Sequence, residues 1–332
     1  MAKRHAVSLR GETFTVQSGD VLLDGALASG IDLPHDCRAG RCGSCLTQVK
    51  SGVTLGGETR QRGTVYACQA RVFSDLNLEV ESLPPVDSVR ATLTRLVDLT
   101  PDVVELTLTP SKPMTILPGQ YCRFSFNGFP PRFFSPTAAL DGRAAGGQIR
   151  LQIKRVRQGR VSTNLGEKIK KGHQLLIEGP FGHGFLRPGL SKRLVLVAGG
   201  TGFAPIWAVV DAALRENPSR KIVIVAGVRK LASFYMGPAL NLVSQLPNVE
   251  IVALAEEHQT RFHGVGFGAP LDFVPVILAD DIVYAAGAPT MVDAVGARAE
   301  AAGALFYSDP FEAGAGGQDD WLTRAITWLR TG

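Results

Sequence analysis

The sequence predicts a multidomain chain: an α+β unit first, an antiparallel β-barrel second, an α/β unit with a parallel sheet third, and a short C-terminal helix. Three observations carry this. The 332 residues exceed what one small core accommodates and fit two or three units. The apolar pattern changes character twice, from a hairpin and helix to short strands at regular spacing, and then to near-continuous apolar strands alternating with helical stretches. Pro84-Pro85 and the glycine-rich run Ala313–Gly317 punctuate the text where such changes fall. The expected division is 1–84, 88–188, 191–311 and 312–332.

In the first unit, Ala6–Leu9 and Thr13–Val16 alternate around Arg10-Gly11-Glu12 as a hairpin, and Val21–Ala28 follows as an amphipathic helix. In the second, Ala91–Val97, Val103–Leu108, Gln120–Phe126, Gln148–Arg155 and Gln174–Glu178 read as strands separated by turn residues, the rhythm of an antiparallel barrel. In the third, Leu194–Ala198, Ile222–Gly227 and Ile282–Gly287 are apolar strands, two of them ending in glycine. They alternate with helical stretches, so a ligand is expected at their C-terminal ends. After the glycine run, Trp321, Leu322, Ala325, Trp328 and Leu329 share a helical face, read first as packing on the molecule itself and second as a contact for a partner.

Composition is 45% hydrophobic and 20% charged, with a net charge of +5. Lys and Arg are scattered rather than grouped, which argues against nucleic acid as a partner. No apolar stretch approaches the roughly 18 residues a membrane helix needs. Met1–Gly11 has no apolar run of signal-peptide length, so a reducing, cytoplasmic setting is expected.

Cys37, Cys42, Cys45 and Cys68 follow C-x4-C-x2-C…C, the plant-type spacing for a [2Fe–2S] cluster. Three thiolates converge from one loop and the fourth arrives from a distant segment. Small residues between them let backbone amides approach the cluster sulfurs. Zinc would favour a second short ligand pair, which the isolated Cys68 does not supply. Cys122 has no partner pattern and reads as a small buried hydrophobe.

Arg132-Phe133-Phe134-Ser135 sets an arginine beside a hydroxyl, and Gly159-Arg160-Val161-Ser162-Thr163 adds a glycine with two more hydroxyls opening a helical stretch. Together they offer what a pyrophosphate needs, one strong cation plus amide and hydroxyl donors at a helix N-terminus. Gly200-Thr201-Gly202 follows a strand and opens a helix, the context for a dinucleotide-binding turn, although Pro205 stands where the usual fingerprint has its last glycine.

Together these segments resemble the iron–sulfur flavoprotein reductases of the ferredoxin–NADP reductase superfamily, above all the reductase components of bacterial ring-hydroxylating dioxygenases and multicomponent monooxygenases. The resemblance spans roughly residues 5 to 311. It implies a β-grasp ferredoxin, an FAD-binding barrel and a nicotinamide domain. Arg132, Phe133, Phe134 and Ser135 match the family's flavin segment, with Phe134 in place of tyrosine, and Gly159, Val161, Ser162 and Thr163 match its second phosphate segment. Gly200, Thr201 and Gly202 take the nicotinamide pyrophosphate. Gly287, Pro289 and Met291 match a Cys-Gly-x-Pro-x-x-Met-like motif whose cysteine is here Ala286. Ser135 is the expected donor near flavin N5 and Phe311 the expected aromatic shield.

The resemblance favours FAD over FMN and NADH over NADPH. The segment Gly227–Tyr235 offers Arg229 and Lys230 but no carboxylate, so NADPH stays open. The implied activity is a two-to-one electron converter: hydride from NADH to FAD, then single electrons through the cluster to a terminal oxygenase component. A Rieske oxygenase, a diiron monooxygenase and a separate ferredoxin remain open as acceptors, and a redox-sensing binding protein remains the alternative class. Arg38 and Arg41 are read either as steering an acidic partner or as solvated loop charges.

Overall fold

A computed structural model describes residues 3–35, 38–40, 43–59, 63–144, 146–257 and 264–311. Cys37, Arg41, Cys42 and the expected C-terminal helix lie outside them.

The first unit contains β1 (Arg4–Leu9), β2 (Glu12–Gln17), α1 (Leu22–Ala28), β3 (Leu46–Ser51), β4 (Thr54–Leu55), β5 (Thr64–Tyr66), β6 (Arg71–Val72) and β7 (Leu76–Glu79). Its main sheet runs β2-β1-β7-β3-β5, with β1 parallel to β7, and β4 pairs with β6. The hairpin and helix fall where alternation and amphipathicity place them, and Leu22, Leu23 and Ala26 of α1 are buried. They join Val7, Phe14, Leu33, Cys45 and Cys68 in one core.

The second unit is a six-stranded antiparallel sheet of β8 (Asp87–Asp98), β9 (Val103–Pro110), β10 (Tyr121–Phe126), β11 (Arg132–Phe134), β12 (Ile149–Lys154) and β13 (Gln174–Phe181). The order is β11-β10-β13-β8-β9-β12. A bridge between Thr137, just past β11, and Arg150 in β12 brings the two edges together and closes the barrel. Leu93, Leu106, Phe124, Leu151 and Ile177 fill it. Cys122 is buried there as expected, and burial pushes its thiol up to about 12. The strand β11 was not anticipated, because three residues are too few to show a period. The helical stretch expected after Gly159 is instead a single 3₁₀ turn, Ser162–Asn164, which stops because Leu165 turns extended and bridges Ile169.

The third unit contains β14 (Leu194–Gly199), α2 (Phe203–Glu216), β15 (Ile222–Val228), α3 (Gly237–Val243), β16 (Val249–Ala255), β17 (Val265–Phe267), β18 (Ile282–Gly287), α4 (Pro289–Ala302) and β19 (Leu305–Pro310). All six strands are parallel, in the order β17-β16-β15-β14-β18-β19. The order reverses at β14, whose neighbours are β15 on one side and β18 on the other, and the crevice of such a sheet opens there. Barrel and sheet share a core. Val103, Leu140 and Leu186 pack with Trp207 of α2, whose indole N–H donates to the Ala139 carbonyl at 3.0 Å.

Candidate functional site

At the reversal of strand order, β14 ends in Gly199, a 3₁₀ turn covers Gly200–Gly202, and α2 begins at Phe203. Gly200 has a left-handed φ of +56°, and a Cβ there would meet no atom within 4 Å, so the turn presents backbone to open space. Gly202 is the opposite case. A Cβ on it would stand 2.2 Å from the Ala286 carbonyl oxygen, so only glycine lets the turn lie against the end of β18. Met291 borders the same spot, its Sδ 3.4 Å from where a Gly199 Cβ would stand, and Pro289 opens α4. The fold thus gathers Gly200, Thr201, Gly202, Gly287, Pro289 and Met291 at one end of the sheet. Open space at Gly200 and a helix N-terminus suit a pyrophosphate.

Between this end and the barrel lies a small cavity, about the size of one water, bordered by Gly184, Pro205, Ala286, Ser308 and Asp309. Ser135, buried just past β11, donates its hydroxyl to Asp309 Oδ2 at 2.7 Å. Burial pushes the Asp309 carboxyl up to about 6, against the opposing pull of that hydrogen bond. Ala286 contributes only a methyl group to this wall. The Phe311 amide donates to the Gly287 carbonyl at 2.7 Å, which fixes the chain beyond β19 beside the same crevice. Phe134 packs on Phe124 at 5.9 Å between ring centroids, whereas Phe133 is half exposed. Arg132 donates to the carbonyl of Pro131 at 2.7 Å.

In the turn after β12, the Ser162 hydroxyl accepts the Val156 amide at 3.1 Å, and Thr163 donates its hydroxyl to the Gly159 carbonyl at 2.5 Å. Both hydroxyls therefore help to build the loop. Ser162 keeps its own proton to donate, but the turn is too short to carry a helix dipole, so that part of the expected phosphate site is not present.

In the first unit Cys45 and Cys68 are buried in one core, and the Ala67 amide donates to the Cys45 carbonyl at 3.1 Å. Gln69 Nε2 donates to the Arg38 carbonyl at 2.8 Å and approaches Cys68 Sγ at 3.7 Å. Gly40 and Gly43 have left-handed φ values of +70° and +75°. Two cysteines buried in one core, a side-chain amide directed at the sulfur of one of them and a loop tightened by glycine suit a thiolate-bound cluster.

Family models agree with this geometry. Residues 7–73 match a 2Fe-2S iron–sulfur cluster binding domain, 90–185 an oxidoreductase FAD-binding domain and 196–296 an oxidoreductase NAD-binding domain. Reductase component 1 of terephthalate 1,2-dioxygenase from Comamonas sp is 30% identical, across 90% of this chain and 94% of the relative. The chain belongs to the ferredoxin–NADP reductase superfamily, among its iron–sulfur flavoprotein reductases. The CDP-6-deoxy-L-threo-D-glycero-4-hexulose-3-dehydrase reductase of Yersinia pestis is likewise 30% identical, across 86% of this chain and 90% of its own. A solved ferredoxin reductase in carbazole 1,9a-dioxygenase superposes with a TM-score of 0.64 at 26% identity, covering 94% of this chain and 99% of its own.

This reductase is therefore an NAD(P)H-dependent oxidoreductase built for a [2Fe–2S] cluster and FAD. No helix among its described residues is long and apolar enough to cross a membrane. Sequence reasoning missed three site features. Asp309 is the sole acid between Phe306 and Phe311, but only the fold sets it against Ser135. Arg229, in a segment with no carboxylate of its own, donates to Glu257 Oε1 at 2.8 Å, so a carboxylate does reach this region from beyond β16. Arg38 likewise donates to Asp24 Oδ1 at 2.6 Å, which offsets its charge as a steering group.

Proposed function

We propose that this reductase takes a hydride from NADH onto FAD and passes the electrons singly through its cluster to a separate terminal oxygenase component. The observation that carries the reading is the seating of the cluster loop. The Gly182 amide, just past β13, donates to Ser44 Oγ at 3.1 Å, and Gly184 lies against the backbone of Ser308, the neighbour of the Asp309 that accepts from Ser135. The cluster end and the hydride end of the molecule therefore meet on one short barrel segment.

When bound, the nicotinamide supplies a hydride, the flavin accepts it, and the iron–sulfur cluster carries electrons one at a time. The residues hold and order these groups. Cys37, Cys42, Cys45 and Cys68 ligate the cluster, and Gln69 donates toward the Cys68 sulfur. Arg132, Phe133, Phe134 and Ser135 line the flavin, with Ser162 and Thr163 near its phosphates. Gly200, Thr201 and Gly202 carry the nicotinamide pyrophosphate, and Gly287, Pro289 and Met291 border its reactive end. Phe311, whose backbone is held by the Gly287 carbonyl, would shield the flavin. Ser135 would stand near the reacting edge of the flavin, with its hydroxyl proton held by Asp309. Because the Asp309 carboxyl titrates near 6, it is also able to hold a proton there close to neutral pH.

The Arg229–Glu257 pair supports NADH. A carboxylate favours ribose hydroxyls, and the guanidinium that would attract a 2′-phosphate is already engaged. The Yersinia relative is named for a dehydrase rather than an oxygenase, which supports a second reading with a different one-electron acceptor.

The test is reduction of cytochrome c as a one-electron surrogate: one NADH becomes NAD⁺ and H⁺ while two ferric haems become ferrous. Cys45→Ser should abolish this while ferricyanide, which takes electrons at the flavin, is still reduced. Equal loss of both activities with the protein folded and flavin-loaded would contradict the proposed order.

A further inference from the structure

One buried cation joins all three units. Arg187 lies in the loop after β13 and is only 8% exposed. Its Nε and Nη2 donate to the two carboxylate oxygens of Glu81 at 3.1 and 2.8 Å, the side-on geometry that arginine makes and lysine does not. Its Nη1 donates to the carbonyls of His183 and Phe185 at 2.7 and 2.6 Å. The guanidinium is sandwiched between the rings of Phe185, 3.6 Å from its centroid, and Tyr307, 4.0 Å from its centroid. Glu81 closes the first unit, His183 and Phe185 belong to the barrel, and Tyr307 lies in β19, two residues before Asp309.

His183 completes the joint. Its Nε2–H donates to Glu81 Oε2 at 2.8 Å while Nδ1 faces Arg187 Nη2 at 2.6 Å, an arrangement that requires a neutral ring. Burial holds its pKa below the usual value, the Glu81 hydrogen bond opposing. The stem of the same residue backs the cluster loop: a Cβ on Gly43 would stand 2.9 Å from His183 Cβ. The residue that supports Gly43 is therefore held by the ion pair that ties Glu81 to the barrel.

We propose that Arg187 and Glu81 are positioning residues that clamp the iron–sulfur unit onto the flavin and nicotinamide units, so that electron transfer to the cluster depends on this pair while hydride transfer does not. The inference rests on the electron order proposed above. Buried charge is otherwise costly: an unpaired guanidinium here would be strongly unfavourable, so the two units gain by staying docked. Electron transfer slows as donor and acceptor move apart, so loosened docking slows the step to the cluster, whereas Ser135 and Asp309 bond to one another and the Glu81 carboxylate bonds to Arg187 and His183.

The experiment uses the full-length holoprotein as wild type, Glu81→Gln and Arg187→Lys, with Glu81→Asp as the conservative control. Two readouts are taken: the ratio of cytochrome c to ferricyanide reduction with NADH, and hydrogen exchange at the Gly182 amide, which donates to Ser44 across the joint. Glu81→Gln should keep ferricyanide reduction within about twofold, lower cytochrome c reduction by roughly tenfold or more, and speed Gly182 exchange by roughly tenfold. Glu81→Asp should restore part of both. Should Arg187→Lys fail to fold, Glu81→Gln decides alone, because Glu81 is more than a third exposed and leaves the barrel core intact. An unchanged ratio with unchanged exchange, or a parallel fall in both activities, would overturn the clamp. If the wild type itself reduces neither acceptor, the proposed function fails, while the exchange measurement still decides whether the pair holds the units together.

Discussion

The glycine turn between β14 and α2 and the joint around Arg187 serve the same molecule by opposite means. The turn is built from backbone: consecutive residues of one segment, a left-handed Gly200, and a Gly202 pressed on Ala286. The joint is built from side chains of three distant segments, and its parts acquire meaning only when folding brings Glu81, His183, Arg187 and Tyr307 together. A backbone site pressed on its neighbour, as at Gly202, tolerates no added atom but travels as a recognisable motif. Assembled charge sites tolerate isosteric change in size but depend on pairing.

That contrast is broken most severely at Gly202. Its replacement by Ala forces a Cβ into the Ala286 backbone, and overpacking of this kind costs about 1–3 kcal/mol. NADH-dependent ferricyanide reduction should collapse and the melting temperature should drop by several degrees. Gly200→Ala sharpens the point, because space around it is open and only the left-handed backbone is penalised, by about 1 kcal/mol. A Gly200→Ala protein as damaged as Gly202→Ala would show that steric closeness is not what the turn requires.

Next in size is the hydride end. Ser135→Ala takes from the buried Asp309 carboxyl the hydroxyl that donates to it, so it should slow flavin reduction by roughly 100-fold and destabilise the fold by about 1–3 kcal/mol, the cost of an unpaired buried acceptor. Asp309 adds a pH signature. Its raised pKa means that the folded protein carries an ionisation penalty fully present above about 6 and relieved as pH falls toward the ordinary carboxylate range. Asp309→Asn should raise the melting temperature at pH 8 more than at pH 5 and flatten any midpoint near 6 in the rate of flavin reduction. A midpoint that survives this substitution would assign the titration to another group.

At the joint the sign is reversed. Burial alone would raise Glu81, but hydrogen bonds from His183 and Arg187 hold it down at about 2, so its stabilisation is present above the ordinary glutamate value and is lost as pH falls toward 2. His183, depressed by burial, contributes above its ordinary value and loses that contribution as pH falls through it. The groups facing it are Glu81, Arg187 and Tyr307. Mild acid should therefore weaken docking of the iron–sulfur unit before it unfolds the barrel, seen as faster Gly182 exchange at pH 5 than at pH 8 after correction for intrinsic rates. The smallest effect is expected at Glu257→Gln. An exposed pair is worth under about 1 kcal/mol, so the preference for NADH over NADPH should shift toward NADPH by no more than roughly fivefold.

Much of this was legible in the text of the chain. The hairpin, α1, five barrel strands and the apolar strands β14, β15 and β18 each carry their own periodicity, and the cysteine spacing names its cofactor. Short or half-buried elements were not legible: β11 has three residues, and β19 is partly exposed along its length, so neither shows a clear period. The turn at Ser162 looked like a helix start because hydroxyls and a glycine precede it, yet the Leu165–Ile169 bridge ends it after three residues. Asp309, Glu257 and Arg187 gave no signal, since their partners lie 174, 28 and 106 residues away.

The most direct measurement is an anaerobic titration of the holoprotein with NADH, following flavin and iron–sulfur absorbance together. The account predicts that both bands bleach in parallel and are exhausted after about one and a half equivalents, because the flavin stores two electrons and the cluster one. Complete bleaching of the flavin with the cluster left oxidised would contradict an electron path running from nicotinamide through flavin to cluster.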